Sequence, residues 1–139
     1  MHISTIKGAG VFLYNSALHK CLMVQSYGNK WGPPKGHYDL EESDAECASR
    51  ELMEETGISI NPDVLSEFPK HTIYNRYIYF IDIHKHPRFG SIKNTKLIPV
   101  VSDEITGIQW MPLHWNTTHV YLLNAIGKEV VRKYIRDEK

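Results

Sequence analysis

Apolar residues follow two rhythms along the chain. Gly8 to Tyr14 and Cys21 to Ser26 are short, dense apolar runs on either side of Asn15-Ser16, the pattern of a strand pair joined by a turn. Ser43 to Thr56 contains no Pro or Gly. It opens on Ser43-Asp44-Ala45-Glu46, a capping-box signature, and is followed by Gly57, where a helix end takes a left-handed residue. A helix of about three to four turns is predicted there. Ile58 to Ile60 predicts a short strand, Thr72 to His84 a long aromatic-rich one, and Leu97 to Val101 and Gly107 to Met111 two more. From Val120 to Ile135 the apolar residues at 120, 123, 126, 130, 131 and 134 have helical spacing, with Thr117 or Thr118 as the candidate cap. Trp31-Gly32-Pro33-Pro34-Lys35-Gly36 reads as a loop, because its prolines lack donors and its glycines open backbone conformations closed to other residues. Strand, helix, strands, helix implies a mixed sheet between helices.

The predicted helix after that loop carries the chemistry. At about 100° per residue, Glu51, Glu54 and Glu55 share one arc, and Ala45, Ala48 and Leu52 form an adjoining apolar stripe. Carboxylates at such spacings repel one another, by a few tenths of a kcal/mol per exposed pair and more where sheltered from water. Arg50 reaches Glu46 or Glu54, but one guanidinium does not neutralise the whole arc. A hard divalent cation with oxygen ligands is the natural partner. The loop adds backbone carbonyls for a metal and the Lys35 charge for a phosphate.

Composition narrows the class. A chain of 139 residues is expected to form one domain, residues 1–139, with a core that needs no staples. No apolar run approaches membrane-spanning length and the amino terminus is not signal-like, so a soluble, cytoplasmic protein without membrane attachment is expected. Cys21 and Cys47 make no disulfide framework, and Cys47 reads as a packing residue of the helix.

The net charge of zero hides a pattern. Residues 1–38 hold four Lys and no acid, 39–69 ten acids and one base, and 70–96 six Lys or Arg and one acid. The last segment, with His71, His84 and His86, is read as a solvated loop for most of its residues, with a positive surface for phosphates as the alternative. Neutrality argues against strong nonspecific nucleic-acid binding and leaves room for a short capped RNA or a dinucleotide.

Residues 36 to 58 match, position for position, the Nudix box: Gly36, five residues, Glu42, seven residues, Arg50-Glu51, an apolar residue, any residue, Glu54-Glu55, any residue, Gly57, Ile58. The chain therefore resembles the Nudix hydrolases. That resemblance implies an α/β/α sandwich with a mixed sheet. It implies an enzyme, a pyrophosphohydrolase that cleaves the phosphoanhydride of a nucleoside diphosphate linked to another group. It implies Mg2+ or Mn2+ as cofactor, held by Glu51, Glu54, Glu55 and the backbone carbonyl of Lys35, with Arg50 as orienting ion-pair partner and Glu42 in the outer shell.

Outside the box, Ser102 to Trp110 resembles the corresponding segment of messenger-RNA decapping enzymes and makes Glu104 the candidate general base, with Asp103 the alternative. The Trp31 to His37 loop is similar to that of asymmetrical diadenosine tetraphosphate hydrolases, and Tyr74 lies about where those enzymes carry a substrate-stacking tyrosine. Lys35, His37 and Tyr74 are the expected substrate contacts. The expected substrate is a dinucleoside polyphosphate, with the RNA cap as the alternative. Further alternatives are diphosphoinositol polyphosphates, nucleoside triphosphates and a non-hydrolytic nucleotide- or RNA-binding module. The expected partner is this small nucleotide or short capped RNA, with no obligate protein partner.

Overall fold

In the computed structural model, which describes residues 5–100, 104–113 and 120–137, seven strands form one mixed sheet. They are β1 (Gly8–Asn15), β2 (Lys20–Gln25), β3 (Trp31–Gly32), β4 (Lys35–His37), β5 (Lys70–Ile73), β6 (Arg76–Asp82) and β7 (Gly107–Pro112). Its helices are α1 (Asp44–Thr56), the single turn α2 (Pro62–Leu65) and α3 (Ala125–Asp137). β1 is central, parallel to β6 over seven residues and antiparallel to its other partners.

Alternation along β1 sets the layers. Ala9, Val11 and Leu13 face α1 and join Ala45, Ala48 and Leu52 in one core. Phe12 points the other way, into a second core with Met23, Ile78, Phe80 and the α3 residues Val130, Val131 and Tyr134. Helices thus cover both faces, and the α/β sandwich expected from the sequence is present.

α1 ends as its sequence dictates. Ser43 accepts from the Glu46 amide at 3.1 Å while the Glu46 carboxylate accepts from the Ser43 amide at 3.0 Å. Gly57 takes the left-handed conformation at φ 82° and returns its amide to the Met53 carbonyl. The predicted C-terminal helix begins later, at Ala125, with Asn124 Oδ1 accepting from the Gly127 amide at 2.7 Å. Thr117 and Thr118 lie outside the described residues.

Several predicted strands resolve differently. Ile58 to Ile60 is no strand: the Ile58 amide is taken by Thr56 Oγ1 at 3.1 Å and the Ile60 carbonyl by the Ser49 hydroxyl at 2.6 Å. Residues 97–100 are likewise not a strand. The Ile98 amide donates to the Thr56 carbonyl at 3.1 Å and the Val100 amide to that of Glu54 at 2.7 Å, so this segment satisfies helix-end carbonyls instead of a ladder. The long strand from Thr72 to His84 is a hairpin of β5 and β6, closed at Tyr74-Asn75 with Tyr74 at φ 54°.

The Trp31–Gly36 loop is also two short strands. β1 and β2 pair at only two positions, Tyr14 with Cys21 and Asn15 with Lys20, then diverge. β3 fills the opening along β2 and β4 along β1. β4 approaches so closely that a Cβ on Gly10 would lie 2.3 Å from the Pro34 carbonyl oxygen. Gly10→Ala is expected to lower the unfolding free energy by about 1–3 kcal/mol, as overpacking does, read from urea denaturation followed by circular dichroism.

Candidate active site

α1 carries the box acids, and β4 sets the loop against them. Gly36 is the contact point: a Cβ there would sit 2.2 Å from the Glu51 carboxyl carbon, so only glycine lets that carboxylate lie against β4. Glu55 is not on a solvated arc. It is 9% exposed, and its Oε1 accepts from the Lys35 backbone amide at 3.3 Å. Burial, followed by the hydrogen bond and charge of the adjoining Glu51, pushes the Glu55 carboxyl far above the usual carboxylate range.

Arg50 organises the other acids. Its Nε and Nη2 grip both Glu42 oxygens at 2.7 and 2.9 Å, and Nη2 also donates to the His37 carbonyl at 2.9 Å. Nη1 donates to Glu51 at 2.8 Å and Glu54 at 3.1 Å, and Asp39 lies 3.1 Å from Nε. The Arg50 hydrogen bonds are the leading cause that holds the Glu42 carboxyl below its usual range. Glu54 is drawn toward the guanidinium, and among the described residues no three acidic, histidine or cysteine side chains already converge on one point as a metal cage. The donor set of Glu51, Glu54 and Glu55 nonetheless consists of carboxylate oxygens, two of them pressed together in a sheltered place, which suits a hard divalent cation.

Lys35 stands beside this cluster. Burial lowers its ammonium pKa; nearby Glu55 opposes that, Arg76 adds to it, and Glu51 and Glu104 oppose it in turn. Glu104, exposed, is therefore within electrostatic reach of Lys35. Asp103 lies outside the described residues. His37 is exposed on the same short strand.

One expectation changes. Tyr74 does not lie within a strand running from Thr72 to His84. It is 59% exposed in the hairpin turn, because the backbone reverses there. Within the Lys70 to Lys96 segment, two of the six cations are engaged by carboxylates. Lys70 pairs with Asp44, and its ammonium lies 4.6 Å from the Tyr77 ring centroid, while Arg88 pairs with Glu67 at 3.1 Å. Sequence reasoning passed over Arg76 as a site residue, although a cation directly preceding the apolar run Tyr77 to Ile81 was the available signal.

A mixed sheet between helices, with a glycine-contacted carboxylate helix on one face, defines an α/β protein of the Nudix type. Residues 5–134 match the NUDIX domain, and the chain belongs to that family. Protein 111R of Invertebrate iridescent virus 3 is 37% identical over 106 residues, covering 76% of this chain and 57% of that protein. The mRNA-decapping enzyme subunit 2 of Arabidopsis thaliana is 28% identical over 106 residues, covering 73% of this chain and 26% of that protein. The chain thus spans only about half, or less, of the length of these curated relatives. A C. elegans Ap4A hydrolase in a binary complex superposes with a TM-score of 0.58 at 20% identity, covering 92% of this chain and 95% of that one, which shows a shared fold.

The Arg50 clamp yields a pH signature. Glu42 has a depressed folded-state pKa, so its contribution is fully present above the unfolded value of about 4.3 and lost as pH falls through the lower folded value. Glu42→Gln is expected to cost about 1–2 kcal/mol at pH 7. The gap to the parent should close as pH drops below about 4, measured by denaturant titration across pH.

Proposed function

We propose that this chain is a metal-dependent pyrophosphohydrolase that cleaves a phosphoanhydride in a substrate whose two nucleosides are joined by a polyphosphate, of the diadenosine tetraphosphate type. The observation that carries the reading is buried Glu55 beside half-buried Glu51, set against the Lys35 amide and Gly36, with Glu54 held alongside by Arg50. Glu51, Glu54, Glu55 and the Lys35 backbone would hold Mg2+ or Mn2+. Such a cation supplies Lewis-acid neutralisation of the polyphosphate charge.

The chain's own residues do the rest. Arg50 fixes the spacing of the α1 carboxylates through Glu42 and the His37 carbonyl. Lys35 brings a positive charge to the phosphoryl oxygens, and His37 adds a donor at the rim. Glu104 takes a proton from the attacking water. Tyr74, exposed in its turn, is available for base stacking.

The diadenosine tetraphosphate reading rests on the Trp31 to His37 loop, which is similar to that of the asymmetrical hydrolases. A second reading, removal of the messenger-RNA cap, is favoured by the match to a decapping subunit across 73% of this chain. Both substrates present the same kind of bond.

Purified protein with Mg2+ or Mn2+ is expected to turn over diadenosine tetraphosphate faster than capped RNA, nucleotide sugars, nucleoside triphosphates or inositol pyrophosphates, with products identified by mass. A faster rate on capped RNA would transfer the assignment to the cap, and no turnover of any would sink the enzyme reading. Glu55→Gln should abolish turnover while the protein stays folded. Glu104→Gln should lower kcat by about 10²–10⁴-fold, and a rate within about threefold of the parent would remove Glu104 from the base role.

A further inference from the structure

The register of the sheet places a second set of charges on the face opposite α1. Gly8 pairs with Arg76 on one side and His37 on the other, and Gly10 pairs with Ile78 and Lys35. Directly paired residues project from the same side of a sheet. Lys35, His37 and Arg76 therefore share the face that carries Ile78 and Phe80, around a stretch of β1 that contributes no side chains. The acids occupy the other side, where Gly36 and Ala9 meet α1.

Arg76 is the unusual member. It is 7% exposed, and among the described residues its Nη1 reaches only its neighbour Asn75, at 2.6 Å to the side-chain oxygen. Its Nε has no partner among the described residues. Arg50, Lys70, Arg88 and Arg132 all have carboxylate partners in direct contact. A buried guanidinium without such a partner costs stability. An anion accepting from Nε would relieve that penalty.

We propose that Arg76, with Lys35 and His37, forms a phosphate-chain subsite on this face, which selects substrates bridged by three or more phosphates. The proposal rests on the reading of the α1 carboxylates as the reacting centre. From β4 across β1 to β6 is two strand spacings, about 10 Å. A diphosphate, with a single bridging oxygen, spans less than that, whereas a longer chain passing over β4 covers it.

The test uses the intact protein with inorganic tripolyphosphate and pyrophosphate as probes, in EDTA without divalent metal, by isothermal titration and thermal melting. Arg76→Met is expected to weaken tripolyphosphate binding by about tenfold to a hundredfold, to change pyrophosphate binding little, and to melt at or above the parent temperature because a buried unpaired charge is gone. Arg76→Lys should recover part of the tripolyphosphate affinity. Glu55→Gln, inactive as a hydrolase, should still bind tripolyphosphate, which separates failure of this subsite from failure of the hydrolase reading. The subsite is overturned if the parent does not bind tripolyphosphate, if Arg76→Met binds it as the parent does or loses both anions equally, or if Arg76→Met and Arg76→Lys both melt well below the parent.

Discussion

The site depends on one guanidinium. Arg50 meets the Glu42, Glu51 and Glu54 carboxylates, the His37 carbonyl and Asp39, and so joins the turn after β4 to the middle of α1. Arginine suits the position because its planar fork serves several acceptors at fixed angles and never loses its charge. Without it, four acids would face one another across a small volume. With it, their repulsion becomes a frame: Glu42 is anchored, Glu54 is held to one side, and Glu51 is left against Gly36. Glu55, one turn on, is then pressed toward Glu51 in a place that water hardly enters.

The sheet supplies the second constraint. β1 cannot follow β2 along its whole length because the segment after Trp31 wedges between them, and glycines on β1 allow β4 to close in. Trp31 is tied in turn to the C-terminal helix, since its carbonyl accepts the Asn124 amide at 2.9 Å. The placement of Lys35 is thus fixed by both ends of the chain. Strand alternation alone sends the Lys35 and His37 side chains to the side of β4 opposite the one where Gly36 meets Glu51.

How much of this was legible depended on how local the cause was. Ser43, Glu46 and Gly57 specify α1 through bonds within a few residues, and its ends fell where the sequence put them. The box spacing likewise foretold which acids gather. Extended segments misled because extension and pairing are different things: Ile58 to Ile60 and residues 97–100 have strand-like composition, but their polar groups bond to α1 and its flanks. The hairpin inside residues 72–84 was hidden because only Asn75 signalled a turn, and Tyr74 adopts a left-handed backbone without being glycine. Arg76 was invisible as a site residue until its neighbours across β1 were known. That fact is one of register, which no single stretch of sequence contains.

The capping of α1 by the returning chain reaches beyond the helix end. Val100 is fastened to the Glu54 carbonyl, and Glu104 follows four residues later. Whatever path the chain takes between them, a span of that length keeps the Glu104 backbone within about 14 Å of Val100. The acid is bracketed on its other side as well, since two residues on, the Thr106 amide donates to the Gln25 carbonyl at 2.9 Å and β7 begins, so the place of Glu104 is set by the carboxylate helix and the sheet together.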